Sequence, residues 1–309
     1  MKKFITFNIL IAFIWLGTFT ATSQQLPQFT QYMYNTISIN PAYAGSRETL
    51  SIVGLHRSQW AGFGGGPTTQ TISIHSPLEN KKIGLGMTVI NDHLGYQNFL
   101  YLNTAFSYTI NVNAKTKLAF GIKAGFVSYS LDAALRQAEF NDPSVYGIKD
   151  RLSPNIGTGA FLHTNRWYVG LSAPGILNTN YNKKEGYQAL ERAHYYFTSG
   201  YVFDMSSAIK FKPAIMIKAT KGAPLSYDAT ANFLFNEKLW LGAAYRINES
   251  AGAFGAIVDF QVTKQLRIGY TYEIPTSDIK PYSNGTHEIL LMFEVFKNKI
   301  DRVKSPRYF

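Results

Sequence analysis

Lys82-Ile83-Gly84-Leu85-Gly86-Met87-Thr88-Val89 is the stretch that decides the fold class. Ile83, Leu85, Met87 and Val89 share one face, and two glycines and a threonine share the other. A period of two is the signature of a β-strand with unlike faces. The pattern recurs along the chain. Leu100, Leu102, Phe106, Tyr108 and Ile110 repeat it, as do Leu118, Phe120, Ile122 and Phe126. So do Phe211 to Ile217, Leu239 to Ile247, Phe254 to Phe260, Leu266 to Tyr272 and Ile289 to Val295. The opposite faces are small or polar, and they carry Lys123, Lys212, Lys218, Arg246, Asp259, Arg267 and Glu273.

Alternation alone fits two architectures. A soluble sandwich buries its apolar faces against each other, whereas a membrane barrel turns them to lipid and lines its lumen with the polar ones. Length favours the barrel. Many runs reach about 9–12 residues, the span of a tilted transmembrane strand, against about 5–6 in soluble sheets. Connections favour it too. Fourteen strands are expected, at 49–57, 68–76, 82–91, 99–110, 117–129, 153–163, 166–174, 194–204, 209–220, 226–236, 238–248, 252–262, 265–274 and 286–296. Short links such as Leu78–Lys81, Thr164-Asn165 and Thr263-Lys264 alternate with longer ones. The longer ones are Ser58–Pro67, Asp92–Asn98, Ser130–Leu152, Gly175–Ala193, Lys221–Leu225 and Pro275–Gly285, with Asn248 to Ala251 a tight exception. Short periplasmic turns and long external loops mark outer-membrane barrels, and an even strand count places both ends of the barrel segment in the periplasm. The expected fold is all-β, a transmembrane antiparallel barrel of about fourteen strands. Pro213 falls inside one of these strands, where it removes a ladder bond; a bulge or a shifted boundary is expected there.

The first residues read as a secretory signal peptide. Lys2 and Lys3 precede the apolar run Phe4 to Phe19, and Ala21-Thr22-Ser23 supplies small residues before a cut at Gln24 or Gln25. The expected division is 1–23 leader, 24–48 periplasmic or plug segment, 49–296 barrel and 297–309 basic periplasmic tail. There is no Cys anywhere, so neither disulfides nor a Cys-based metal site exists. After the leader no apolar run approaches the ~20 residues of a membrane helix, yet 22 Phe and 20 Tyr make the chain strongly aromatic. The formal charge of +11 is spread singly along the chain except near the C-terminus, which is not a nucleic-acid footprint. The tail Lys297 to Arg307 is basic and suits anionic headgroups or a periplasmic subunit.

Gln28 to Ser46 (QFTQYMYNTISINPAYAGS) fits neither helix nor strand well. It precedes the first strand and so is expected to start in the periplasm. It is polar and aromatic, and ends in a Pro/Gly-punctuated turn. Two readings stay open: a plug held in the lumen through Asn, Gln and Tyr, or a loose periplasmic strap. Interior glycines such as Gly84, Gly86, Gly121 and Gly125 leave room for a plug or for bends in the wall.

These residues also carry a resemblance. Gln31-Tyr32-Met33-Tyr34-Asn35 followed by Asn40-Pro41-Ala42-Tyr43-Ala44-Gly45 resembles the mature N-terminus of the PorP/SprF family of type IX secretion outer-membrane proteins. Arg57-Ser58-Gln59-Trp60, Gly62-Phe63 and Gly65-Gly66-Pro67-Thr68 resemble that family's first-loop motif, and Ser305-Pro306-Arg307-Tyr308-Phe309 its C-termini. The resemblance implies an outer membrane of the Bacteroidota type. It also implies a role in the export or surface attachment of a cognate cargo, including gliding adhesins. The partners it implies are that cargo, engaged through its C-terminal domain, other secretion subunits and outer-membrane lipid. No cofactor is implied.

Other site readings are weak. The six histidines show no metal-ligand spacing, and no Gly-x-Ser-x-Gly elbow occurs. His163 and Ser172 fall on adjacent expected strands, a pairing that chance supplies in a Ser-rich chain. Gly62 to Gly66 lacks the Lys-Ser/Thr that a phosphate loop needs. Trp60 and Phe63 are candidate partner contacts, or else aromatics packed at the mouth. Arg136 and Tyr146, on the loop Ser130–Leu152, are further candidate contacts, since long loops on a rigid scaffold commonly carry binding. Ser130 to Gln137 has the composition of a short helix. The competing function is a porin-like or hydrophobic-solute channel.

Overall fold

The computed structural model describes residues 27–79, 81–132, 148–181, 190–248 and 251–296. It is a closed antiparallel β-barrel of fourteen wall strands. In chain order these are β1 Leu50–Ser58, β2 Thr68–Pro77, β3 Ile83–Leu94, β4 Gln97–Asn111, β5 Lys117–Leu131, β6 Ile148–His163 and β7 Trp167–Gly175. They continue with β8 His194–Tyr201, extended by Phe203–Asp204, β9 Ile209–Thr220, β10 Ser226–Phe235, β11 Leu239–Ile247, β12 Ala253–Gln261, β13 Leu266–Pro275 and β14 Thr286–Val295. Each strand pairs with its sequence neighbours, and β1 closes the cylinder on β14 from Leu50↔Val295 to Ser58↔His287. The barrel wall has no free edge among the described residues, as hydrocarbon requires of a β-protein.

The two faces point the way the barrel reading demands. Ile72, Leu102, Phe106, Ile122, Phe126, Leu171, Phe254 and Leu291 face outward and are exposed, Ile122 at 61%. Ser51, Ser73, Thr71, Asn103, Lys123, Lys212, Lys218, Arg246, Asp259 and Glu273 face inward and are buried. A protein with apolar side chains outside and charges inside is soluble in lipid, not in water.

Several local expectations change. Asp92–Asn98 is not a long loop: β3 and β4 run on as far as Leu94↔Gln97, leaving the tight turn Gly95-Tyr96. The Cβ-bearing residues Asn236 and Glu237 both take positive φ (48° and 55°), the twist-matched geometry of a tight hairpin. Pro213 sits within β9 with no bulge and no shifted boundary. It pairs in register with Ala231 on one side. On the other side the β8 ladder ends at Gly200↔Ala214 and resumes, still in register, at Phe203↔Phe211. The missing donor is absorbed as a gap in one ladder. Ser130 and Leu131 belong to β5, so the short helix expected from Ser130 does not start there. Residues 133–137 of that segment, the leader and the basic tail lie outside the described residues.

Arginine at Ile122 places a charge on the lipid face of β5. Ile122→Arg is expected to destabilise the barrel by about 2–4 kcal/mol, measured by denaturant unfolding in lipid vesicles; Ile122→Val should change little.

Candidate functional site: the lumen arm and the outer mouth

Residues 28–48 form an arm inside the barrel. Phe29 to Ala44 are buried throughout. Three short helical turns, Tyr32–Tyr34, Thr36–Ile39 and Pro41–Tyr43, compact it. The last is set by sequence: Pro41 fixes φ at the first helical position, and the Asn40 side chain accepts from Ala42 N at 3.0 Å. In the structure these residues lie within the lumen.

The arm begins at the mouth opposite the one expected. Thr30 N donates to Glu288 Oε1 and Oε2 at 2.8 and 3.1 Å, and Gln31 N donates to Oε2 at 3.1 Å. Thr30 Oγ1 donates to Glu273, and Gln28 Nε2 to Asp228. Glu288 and Asp228 lie near the starts of β14 and β10, and Glu273 near the end of β13. All three are at the end of the barrel remote from the short turns. At the other end of the arm, Gly45 N meets His75 Nδ1 at 3.1 Å and Ser107 Oγ donates to Ala44 O at 2.6 Å. Arg47 Nε pairs with Glu294 Oε1 at 2.8 Å. His75, Ser107 and Glu294 lie at the short-turn ends of β2, β4 and β14. The arm therefore descends from the outer mouth to the periplasmic end, and Pro27 and Gln28 sit half-buried at the outer end of the lumen.

A collar of buried charge holds the outer end. Arg57 Nη2 meets Glu273 Oε2 at 3.1 Å and its Nε meets Glu288 Oε1 at 3.0 Å. Arg246 Nε meets Asp228 Oδ1 at 2.7 Å and its Nη1 meets Glu273 Oε1 at 3.5 Å. Buried charges persist only when paired and hydrogen-bonded; the backbone N–H groups of Thr30 and Gln31 supply donors that the wall lacks. Lower down, the Lys212 ammonium lies 5.3 Å from the ring centres of both Tyr34 and Trp240, and the Arg267 guanidinium 4.9 Å from Tyr34. Tyr43 packs edge-on to His75 and Phe161, with centroids 5.3 and 5.4 Å apart.

The wall glycines explain themselves here. A Cβ on Gly84 would collide with the Ala44 carbonyl, and one on Gly121 with the Pro41–Ala42 peptide. They admit the backbone of the Asn40–Gly45 turn to the wall. What remains of the lumen among the described residues includes a cavity of about 30 Å³, bordered by Phe29, Ser38, Lys123, Asn155 and Glu191, room for about one water.

The outer loops close over this. Tyr181 turns into the mouth and packs on Phe99 and Tyr129, centroids 5.6 and 5.0 Å away. Its hydroxyl donates to Glu191 Oε2 at 2.5 Å. Burial pushes the Glu191 carboxyl above its ordinary range, with the Tyr181 bond pulling it back. The first loop is cross-tied. Ala61 N donates to Gly285 O and Asn284 N to Ala61 O, both at 2.7 Å, and Gly95 N donates to Gly65 O at 3.1 Å.

The candidate residues thus separate. Asn40, Pro41, Tyr43 and Gly45 are arm residues. Arg57, from the same motif as the loop, is a strand residue of the collar. Gly65 and Pro67 shape the first loop, where Pro67 O accepts from Gln59 N at 2.8 Å. Trp60 is half-buried, with φ +54° and its N–H 3.2 Å from Thr286 Oγ1; Phe63 is exposed. Arg136 and Tyr146 lie outside the described residues. His163 pairs with Tyr168 and Ser172 with Gly159, so those two are not brought together. Among the described residues no cluster of metal-ligating side chains is present. Asp228, Glu288 and Glu294 were missed by the sequence reading, although each occupies an inward-facing position.

With the filled barrel in view, the family comparison is direct: residues 21–293 match the family described as type IX secretion system membrane protein PorP/SprF. The chain belongs to the PorP/SprF family. Comparison with curated proteins finds no match. Among solved structures, the CymD monoaromatic hydrocarbon channel is similar at 12% identity, covering 87% of this chain and 92% of that one, with a TM-score of 0.50. Omp33 of Acinetobacter baumannii matches at 8% identity over 80% and 98%, with a TM-score of 0.49. The CymD likeness shows the fold alone. This PorP/SprF protein is an outer-membrane barrel of type IX secretion, a family whose members meet the secretion machinery and its cargo.

Two outcomes test the arm. Glu273→Ala leaves both collar arginines short of a partner and is expected to cost about 3–5 kcal/mol in vesicle unfolding. Because the chain has no Cys, single cysteines report sidedness cleanly. Pro27→Cys should react with a membrane-impermeant maleimide on intact cells, and Lys115→Cys only after the outer membrane is permeabilised.

Proposed function

We propose that this protein is a plugged, non-catalytic barrel that assists export or cell-surface attachment of one adhesin-type type IX cargo. The carrying observation is the filled lumen: the arm from Phe29 to Ala44 and the inserted Tyr181 occupy the path a solute would take. A barrel closed in this way offers its outer loops as the working surface. The cross-tied first loop presents Phe63 on a rigid base, the condition under which an aromatic anchors a partner. Arg136 and Tyr146, on the long connection between β5 and β6, are proposed as further contacts for the C-terminal domain of the cargo. A porin-like or hydrophobic-solute channel is the competing reading.

Two measurements decide between them. In planar bilayers the wild type should be electrically silent, and Gly121→Leu, which evicts the Pro41–Ala42 backbone, should conduct. Steady conductance of the wild type would favour the channel. In the cell, deletion followed by location of the cargo separates the roles. Cargo free in the medium marks an anchor; cargo retained or degraded marks an export factor; unchanged surface cargo overturns the proposal.

A further inference from the structure

The two rims of the barrel differ in charge. Six short turns lie at the periplasmic end: 78–82, 112–116, 164–166, 205–208, 236–238 and 262–265. Their described residues carry six bases, Lys81, Lys82, Lys115, Arg166, Lys238 and Lys264, against two acids, Glu79 and Glu237. The outer loops carry three bases, Arg192, Lys221 and Lys280, against three acids, Asp132, Glu191 and Asp278, among the described residues. Ion pairing does not absorb the periplasmic excess. Arg166 meets Asp204 at 2.5 Å, but Lys81, Lys115, Lys238 and Lys264 are exposed and form no ion pair among the described residues.

The apolar belt reaches the same level. Leu78, Val112, Met205 and Val262 each continue the outward row of their strand by one step into the turn, and they are 43%, 57%, 63% and 47% exposed. Lys81 follows Leu78 by three residues, Lys115 follows Val112 by three and Lys264 follows Val262 by two. A side chain that ends the hydrocarbon belt fixes the acyl boundary. A lysine two or three residues on then stands at the height of the headgroup phosphates, with its stem free to reach them.

We propose that the periplasmic rim is a binding surface for anionic phospholipid of the inner leaflet, gripping headgroup phosphates with Lys81, Lys115, Lys238 and Lys264 while Leu78, Val112, Met205 and Val262 seat in the acyl boundary. The rim stands independently of the cargo reading. It fixes the depth of the barrel from the periplasmic side and leaves the outer loops free.

The test is native mass spectrometry of the full purified chain, delipidated and offered an equal mixture of phosphatidylglycerol and phosphatidylcholine. The wild type should retain the anionic lipid with at least about a tenfold preference, from several contacts each worth roughly a few-fold, and rising salt should erode it. The quadruple variant Lys81→Gln, Lys115→Gln, Lys238→Gln, Lys264→Gln should lose the preference while keeping heat-modifiable migration on gels. The control variant Lys221→Gln, Lys280→Gln, at the outer loops, should keep it. Equal binding of the two lipids by the wild type would overturn the proposal, as would a preference that survives the quadruple change. Capture of an acidic periplasmic protein without any lipid preference would assign the rim to protein and also overturn it.

Discussion

The constraint behind everything else is that hydrocarbon offers no hydrogen bonds to a backbone. A chain that crosses lipid as strands must close on itself, and closure creates an inside. Each strand then presents one face to lipid and one to that inside, so the inward residues are free to be polar. Once polar they must be solvated. A porin does this with a water column. This chain does it with its own residues 28–48, which is why Ser73, Thr271 and Glu288 on the wall find their partners in Asn35, Gln31 and Thr30 on the arm. The filled lumen combines these polar partners with apolar packing: Phe29, Met33 and Ile39 of the arm share one buried cluster with Val53, Leu55, Leu290 and Met292 of the wall.

The collar shows how tightly that demand binds arm to wall. Arg57 and Arg246 face Asp228, Glu273 and Glu288 in a region from which water is largely excluded. In such surroundings the penalty for a lone ion exceeds the gain from a single contact. Removing the arm would strip Glu288 of two backbone donors and would open the collar to water. The arm is therefore a structural member of the barrel, and a change that dislodges it must also re-solvate five charges.

Much of this was legible in the sequence, for a definite reason. The period of two survives in most wall strands because lipid and lumen impose opposite demands, so the strand count and most boundaries follow from alternation and connection length; β1 and β14 depart from it where Val53, Leu55, Leu290 and Met292 turn inward onto the arm. Where the signal failed, something local outweighed it. Asp92 to Asn98 is polar enough to read as a loop, yet above the membrane a strand needs only its ladder, and β3 pairs with β4 to the last residue. Pro213 argued for a bulge, but a barrel strand has two neighbours and only one ladder had to yield. Arg57 read as part of a loop motif because Trp60 and the glycines beside it are loop residues; its inward parity, shared with Ser51 and Val53, was the available clue. The direction of the arm was not legible at all. It is set by contacts between residues two hundred or more positions apart, such as Gln28 with Asp228 and Arg47 with Glu294.

Those long-range contacts carry a consequence for assembly. The last strand, β14, supplies Glu288 to the outer end of the arm and Glu294 to its inner end, and the same strand forms the closing seam with β1. Strand β1 follows the arm directly in the chain. β14 therefore completes both ends of the arm's attachment, beside the contacts that β2, β4, β10 and β13 supply. Filling and closure are thereby coupled: the strand that seals the barrel against β1 also supplies the arm with a carboxylate at each end, Glu288 and Glu294.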